Sequence, residues 1–327
     1  MSRIRHIAQW ARTTFPYPSP LAWGVLALVI MTDIVWAVLG AYHLSPNSLS
    51  SLGLALVAFV MLAGFAIYGR GRDDLAGVVA WSSATLFVVT FSTTSVILSY
   101  LAASLSLPLV DAQLVAFDEA LGFDWIGLLH FVNTHETFGR LTSATYNTAF
   151  PELALIVLFL GLMRRLEELR ELVDVYWLTL LMAITLSALF PAVDPYAFYG
   201  LKPDDFTVVW PTAGMVFLPD YLSLRAGTYD TFNFAAMEGI IAFPSFHAAL
   251  ALMMTWSLRR LPWALGLGLV YNGLMLLATL TEGGHYLADV AVGSLLVVVA
   301  VAVRHALTRR EKPAVAIETL QALQGFD

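Results

Sequence analysis

The sequence predicts an all-α fold: a multi-pass membrane bundle of about eight helices, with both termini cytoplasmic and an ordered cap over the outer face. Three observations predict it. The 327 residues are 59% hydrophobic and 13% charged, with a mean hydropathy of +0.75, whereas a soluble domain is about half apolar and about a quarter charged. Eight stretches are apolar over close to the ~20 residues a helix needs to cross a bilayer. The basic residues collect in alternate connections between those stretches, as the positive-inside rule requires.

The first stretch, 21–41, follows a basic start with Arg3, Arg5 and Arg12. It is longer than a signal-peptide core and no clear small-x-small site follows it, so it reads as the first membrane helix. The second covers 50–68. The third, 76–103, is long enough to end in a tilted or interfacial turn. The fourth, 139–163, carries Asn147, Pro151 and Glu152, which blur its start. The fifth covers 172–190, the sixth is short at 243–258, and the last two cover 262–280 and 286–307. With the N-terminus inside, fourteen of the seventeen Lys and Arg residues fall on the cytoplasmic side, and only Arg140, Lys202 and Arg225 stay outside. The expected organisation is one membrane-embedded domain over 1–308, with outer loops at 104–138 and 191–242 and a short cytoplasmic amphipathic tail at 309–327.

Both outer loops are too long to be simple connections. The first is acidic, with Asp111, Asp118, Glu119 and Asp124, and its helical apolar spacing suits an element lying along the membrane surface. The second is rich in proline, aromatics and aspartate, which favours an ordered cap. A net charge of −7, without a basic patch interleaved with aromatics, argues against a nucleic-acid partner. The absence of cysteine excludes disulfides, thiol catalysis and cysteine–zinc sites.

Two stretches carry the chemistry. In "AFPSFHAALALMM", Pro244 and Ser245 open the sixth helix, where serine caps free amides. The first-turn N–H groups of such a helix attract anions, phosphate above all, and His247 sits in that turn. In "GGHYLADVAVG", Gly283 and Gly284 permit a tight turn, His285 opens the last helix, and Asp289 lies one turn on along the same face. A carboxylate there fixes the imidazole tautomer and leaves Nε2 free. Taken singly, each stretch also reads as a polar helix start. Together they are stronger, because the sixth helix runs inward, the seventh returns, and the eighth begins where the sixth began. Both histidines then share one depth on the outer face. The pattern suits phosphoryl transfer, with His285 as nucleophile, Asp289 orienting it, and His247 as acid and then base. Nothing in that scheme calls for a metal or another cofactor.

"PSFH" and "GHYLAD" resemble the second and third signatures of the type 2 phosphatidic acid phosphatase superfamily, over about 240–295. The resemblance implies a helical membrane core and a histidine nucleophile backed by aspartate. The chain departs from the phosphatase branch at three places. Phe246 stands at a glycine position, Ala278 and Thr279 stand at a serine–arginine pair, and Val209 and Trp210 follow Lys202 where an arginine–proline pair belongs. It is more similar to the inositol phosphorylceramide synthase branch, the aureobasidin target, and its bacterial relatives. The carriers are Phe243 to His247, then His285, Tyr286 and Asp289, and "FPAVDPY", Phe190 to Tyr196. That branch implies transfer of a phosphorylated head group, phosphoinositol-like, from a phospholipid to a lipid alcohol in a sphingolipid-type reaction. The expected location is a bacterial cytoplasmic membrane, with the site on the extracytoplasmic side.

Substitutes for the missing signature cations are expected among the outer set, Arg225 first, then Arg140 and Lys202, with Ser245 and the helix amides completing the phosphate site. Asp174 is read as solvated, and Tyr146 and Asn147 are read first as bundle packing and second as facing the site from the fourth stretch. His43, His130 and His135 are read as isolated interfacial histidines. Three readings of function stand at this point: a phosphotransferase, a phosphatase for a lipid phosphate or polyprenyl pyrophosphate on the same scaffold, and a non-catalytic lipid-binding or transport protein.

Overall fold

The computed structural model describes residues 18–69, 71–209, 215–234 and 236–324. The protein is predominantly α-helical, and several of its helices are apolar enough to form a membrane-associated bundle. Among the described residues, five helices are long and apolar enough to cross a membrane, and one bent pair adds a sixth.

The first is α1, Pro20–Leu39, which Ser19 caps by accepting the Ala22 N–H at 3.3 Å, with Pro20 at its first position. After it come α2, Ser48–Tyr68, and the long α3, Ala76–Ala103. The acidic outer segment then forms two helices rather than one: α4, Asp111–Ala120, and α5, Trp125–Thr134, separated at Gly122. The fourth apolar stretch is broken into α6, Glu136–Asn147, and α7, Ala149–Leu162, bent by 54°. Pro151 explains the break: it offers no N–H to Asn147, four residues back, and its ring crowds that carbonyl. Helix α8 runs over Leu166–Leu189. The second outer segment carries the one-turn α9, Pro195–Phe198, and α10, Leu218–Arg225. Last come α11, Phe246–Ser257; α12, Pro262–Thr281; and α13, Leu287–Gln324. At twelve residues, or ~18 Å, α11 is too short to cross a bilayer alone. The side chains beyond 308, and the basic residues Arg3, Arg5, Arg12 and Arg70, lie outside the described residues.

Helix α3 is central and packs on α1, α2, α7 and α8. The main core is apolar and aromatic, built around Phe87, Phe91, Leu160, Leu172 and Met254. A second cluster joins the outer segments to the top of α3, with Tyr100, Leu114, Phe217, Tyr221, Phe232 and Tyr286. The cap is tied further by a short parallel pairing of β1, His43–Leu44, with β2, Thr231–Phe232. Both outer loops are thus ordered where they are described.

At the opposite end of the bundle, Arg304 of α13 is 5% exposed and sits among three acids of α8. It lies 2.7 Å from Glu167, 3.3 Å from Asp174 and 3.9 Å from Glu171. Glu171 also takes Arg259 at 2.6 Å. Asp174 is therefore not a solvated residue. It is buried and paired, because Arg304 reaches it across two helices that are far apart in sequence.

Candidate active site

The starts of α11 and α13 meet at one end of the bundle. Ser245 caps α11 by accepting the Ala248 N–H at 3.2 Å, and its own N–H donates to the Asp289 carbonyl at 3.1 Å. The approach is close enough that a Cβ on Gly293 would lie 2.1 Å from the Ser245 carbonyl oxygen, so glycine alone fits there. Before α13, the chain turns through Gly284 at φ +61°, a left-handed conformation that suits glycine. This turn delivers His285 beside the start of α11.

His285 is 4% exposed and Asp289 fully buried. Asp289 Oδ2 lies 3.3 Å from His285 Nδ1 and accepts the Tyr286 N–H at 2.9 Å, so the carboxyl is held while it braces the ring. Burial pushes His285 down to about 4, against a hydrogen bond with the Ala242 backbone that raises it. The ring is therefore neutral at physiological pH, with a nitrogen lone pair available.

His247 comes from the first turn of α11. Its Nδ1 is 3.2 Å from the Tyr146 hydroxyl, and the two rings stack at 4.3 Å. Both histidines line one cavity of about 570 Å³. Its other walls include Ser92, Ser95 and Ser99 of α3, Asn147, Asp194 and Glu238. Tyr146 and Asn147 are thus cavity residues and not only packing, because the bend at Pro151 turns the end of α6 toward α11. Among the described residues, the N–H groups of Phe246 and His247 take no hydrogen bond, as first-turn amides do unless capped.

The three outer cations are elsewhere. No Lys or Arg lines the cavity among the described residues. Arg225 donates to the Leu107 carbonyl at 2.8 Å and lies over the Tyr221 ring. Arg140 is exposed and pairs with Glu136 at 2.5 Å. Lys202 is exposed, and its backbone N–H binds Asp205. His43, His130 and His135 do not line the cavity either.

Sequence reasoning missed the braces beneath the His285 turn. Asp118 of α4 accepts the Leu287 and Ala288 N–H groups at 2.8 and 3.1 Å, so it caps α13 from another segment. Asp111 accepts the Val193 N–H and the Tyr286 hydroxyl, the latter at 3.0 Å. Burial raises both carboxyls, while the backbone N–H bonds pull them down. Trp125 donates to the Leu280 and His285 carbonyls at 2.9 and 3.1 Å, and the Tyr196 hydroxyl donates to Thr281. The acidic run of the first outer loop was the one available signal, but acids in a loop read equally as solvated. Asp118→Ala should cost about 1–2 kcal/mol, as loss of a helix cap does. It should also slow turnover about tenfold or more by loosening the turn that holds His285. Thermal unfolding and initial rates on one preparation check both effects.

A family model described as the PAP2 superfamily matches residues 112–303, a stretch that runs from the first brace helix through Asp289 into α13. The chain belongs to the PAP2 superfamily. No curated protein and no solved structure matches it. The match supports enzymatic chemistry of the phosphatase and phosphotransferase kind in general, acting on lipid-type phosphates. Residues 112–303 also take in the outer segments that carry Asp118, Trp125 and Asp194, well beyond the short resemblance over 240–295.

Proposed function

We propose that this PAP2 protein is a membrane phosphotransferase that moves a phosphorylated head group from a phospholipid donor to a lipid alcohol through a phosphohistidine on His285. One observation carries the reading: His247 and His285, from two helices that start at the same end of the bundle, line one cavity, with Asp289 behind the His285 ring. In the first step, His285 Nε2 attacks phosphorus while Asp289 accepts from Nδ1 and steadies the developing imidazolium. His247 acts as the imidazolium: its Nδ1–H donates to the Tyr146 hydroxyl, and its Nε2–H passes to the leaving oxygen, which leaves the ring neutral. In the second step, His247 takes a proton from the incoming alcohol, which attacks the phosphohistidine and frees His285. The unoccupied N–H groups of Phe246 and His247 serve the equatorial oxygens. Ser245 acts through the helix start that it caps, and Arg225, Arg140 and Lys202 stay outside the scheme as cap residues.

A cavity wall without Lys or Arg among the described residues favours transfer over hydrolysis of a monoester. A phosphate monoester carries about −1.5 to −2 charges near neutrality, and a pyrophosphate more, whereas a phosphodiester carries one. Helix amides and neutral donors suit the smaller charge. The phosphoinositol-like donor of the branch resembled is such a diester. In this reading, both termini are cytoplasmic, all eight apolar helical segments belong to the membrane domain over 1–308, and the cavity opens on the extracytoplasmic side.

The deciding experiment incubates the purified protein with phospholipid donors labelled at phosphorus, with and without ceramide or diacylglycerol. Label should appear on the lipid alcohol and grow with its concentration. Label released only as free phosphate or head-group phosphate, whatever alcohol is present, would instead establish hydrolysis.

A further inference from the structure

Asp194 stands at the mouth of α9, where an Asp–Pro pair starts a short helix. Its Oδ1 accepts the Ala197 N–H at 2.6 Å. Its Oδ2 is buried and has no hydrogen-bond partner among the described residues. The residue is 1% exposed and is one of those that line the cavity holding the two histidines. A buried polar atom without a partner forfeits the hydrogen bond it had with water and gains none in return. The cavity wall, meanwhile, offers a phosphate no Lys or Arg among the described residues. The two observations answer each other.

We propose that Asp194 is a substrate-phosphate contact, its Oδ2 donating a hydrogen bond to a phosphate oxygen from the position a cation would otherwise take. The inference rests on the reading above, that phosphate occupies the cavity beside His285. A carboxyl can donate only as the acid, and the surroundings favour that form. Asp194 faces the carboxyls of Asp111 from α4 and Asp289 from α13, and it shares the cavity with His285, His247 and Glu238. Burial first, with Asp111 and Asp289 adding to it, pushes Asp194 up to about 7, against the Ala197 and Tyr196 N–H groups. His285, at about 4, is uncharged over the same range and contributes no competing titration there. Anion binding should therefore be strong below about 7 and weaken as pH rises through it.

Methyl sulfate is the probe, because it is a monoanion like a phosphodiester, its charge is fixed across the neutral range and it needs no chemistry to bind. Its affinity for the purified full chain is measured by calorimetry as a function of pH, for the wild type, Asp194→Asn and Asp194→Ala. Asparagine separates the two roles of the side chain. Its carbonyl keeps the Ala197 cap, and its amide presents a permanent donor where Oδ2 was. The wild-type affinity should fall about tenfold per pH unit above the transition, as for one linked proton. Asp194→Asn should bind with no such fall, and Asp194→Ala should bind at least about tenfold more weakly on the acid side. Parallel profiles for wild type and Asp194→Asn, an alanine variant that binds like wild type, or a wild type that binds no methyl sulfate would each overturn the proposal. The same preparations are labelled with donor phosphorus. Protein that forms a phosphohistidine but shows any of those profiles sinks the role of Asp194 alone, whereas protein that forms none sinks the reading beneath it.

Discussion

His285→Ala is expected to abolish turnover, with a loss of at least about 10³-fold. Groups that act as a unit around a nucleophile retain little when the nucleophile goes, because what is left is binding and oxyanion stabilisation alone. The variant should also take no phosphorus label, while the wild type takes a label that is stable in base and lost in acid. Thermal unfolding separates this from collapse of the fold, since the turn at Gly284 and the caps on α13 do not depend on the ring. A pH dependence belongs to the same residue. Burial favours the neutral imidazole, so protonation and loss of the nucleophile come only as pH falls toward about 4, well below the ordinary histidine range. A His285→Ala protein with full turnover removes the mechanism.

Arg304→Ala is expected to be the most destabilising single change at the far end of the bundle, by about 3–5 kcal/mol. Removing one member of a buried ionic group leaves the others buried and uncompensated. Here it would strand Asp174 and take one of two arginines from Glu171, both acids being buried. Arg304→Lys should recover part of the loss, since it restores charge without the planar fork that meets several carboxylates at once. Denaturant unfolding in detergent reads both variants. Equal stability of wild type and Arg304→Ala would mean that the acids find other partners. Activity should follow stability here and not precede it, because no member of the cluster lines the cavity.

The bundle was legible because a bilayer writes its demands locally. Apolar runs of the right length marked the long helices, whereas the fourth run reads as one span with a blurred start and is two helices bent by 54°. Two short stretches gave the two histidines that line the candidate cavity, for a similar reason. Ser245 caps a helix three residues on, and His285 meets Asp289 four residues on, so both relations fit within one helical turn. The braces are different. Asp118 reaches Leu287 across 169 residues, and Asp111 reaches Tyr286 across 175. No periodicity records such a pairing, and an aspartate in an outer loop has the same local neighbours whether it is solvated or capping. Asp194 was half legible. Its Asp–Pro context marks a helix cap and accounts for Oδ1, but only the packed cavity shows where Oδ2 is left. The outer cations show the opposite failure. Their chemistry suited phosphate, yet side-chain type does not fix reach, and Arg225 is spent on a backbone carbonyl in the cap.

The capping of α13 by Asp118 has a consequence for how a lipid gets in. The outer cover is fastened to the helix that carries Asp289 through that helix's own first amides. Hinging the cover away would break those two bonds and loosen the turn that presents His285, so opening it carries a cost to the site itself. A long-chain substrate that slips sideways between helices would avoid that cost.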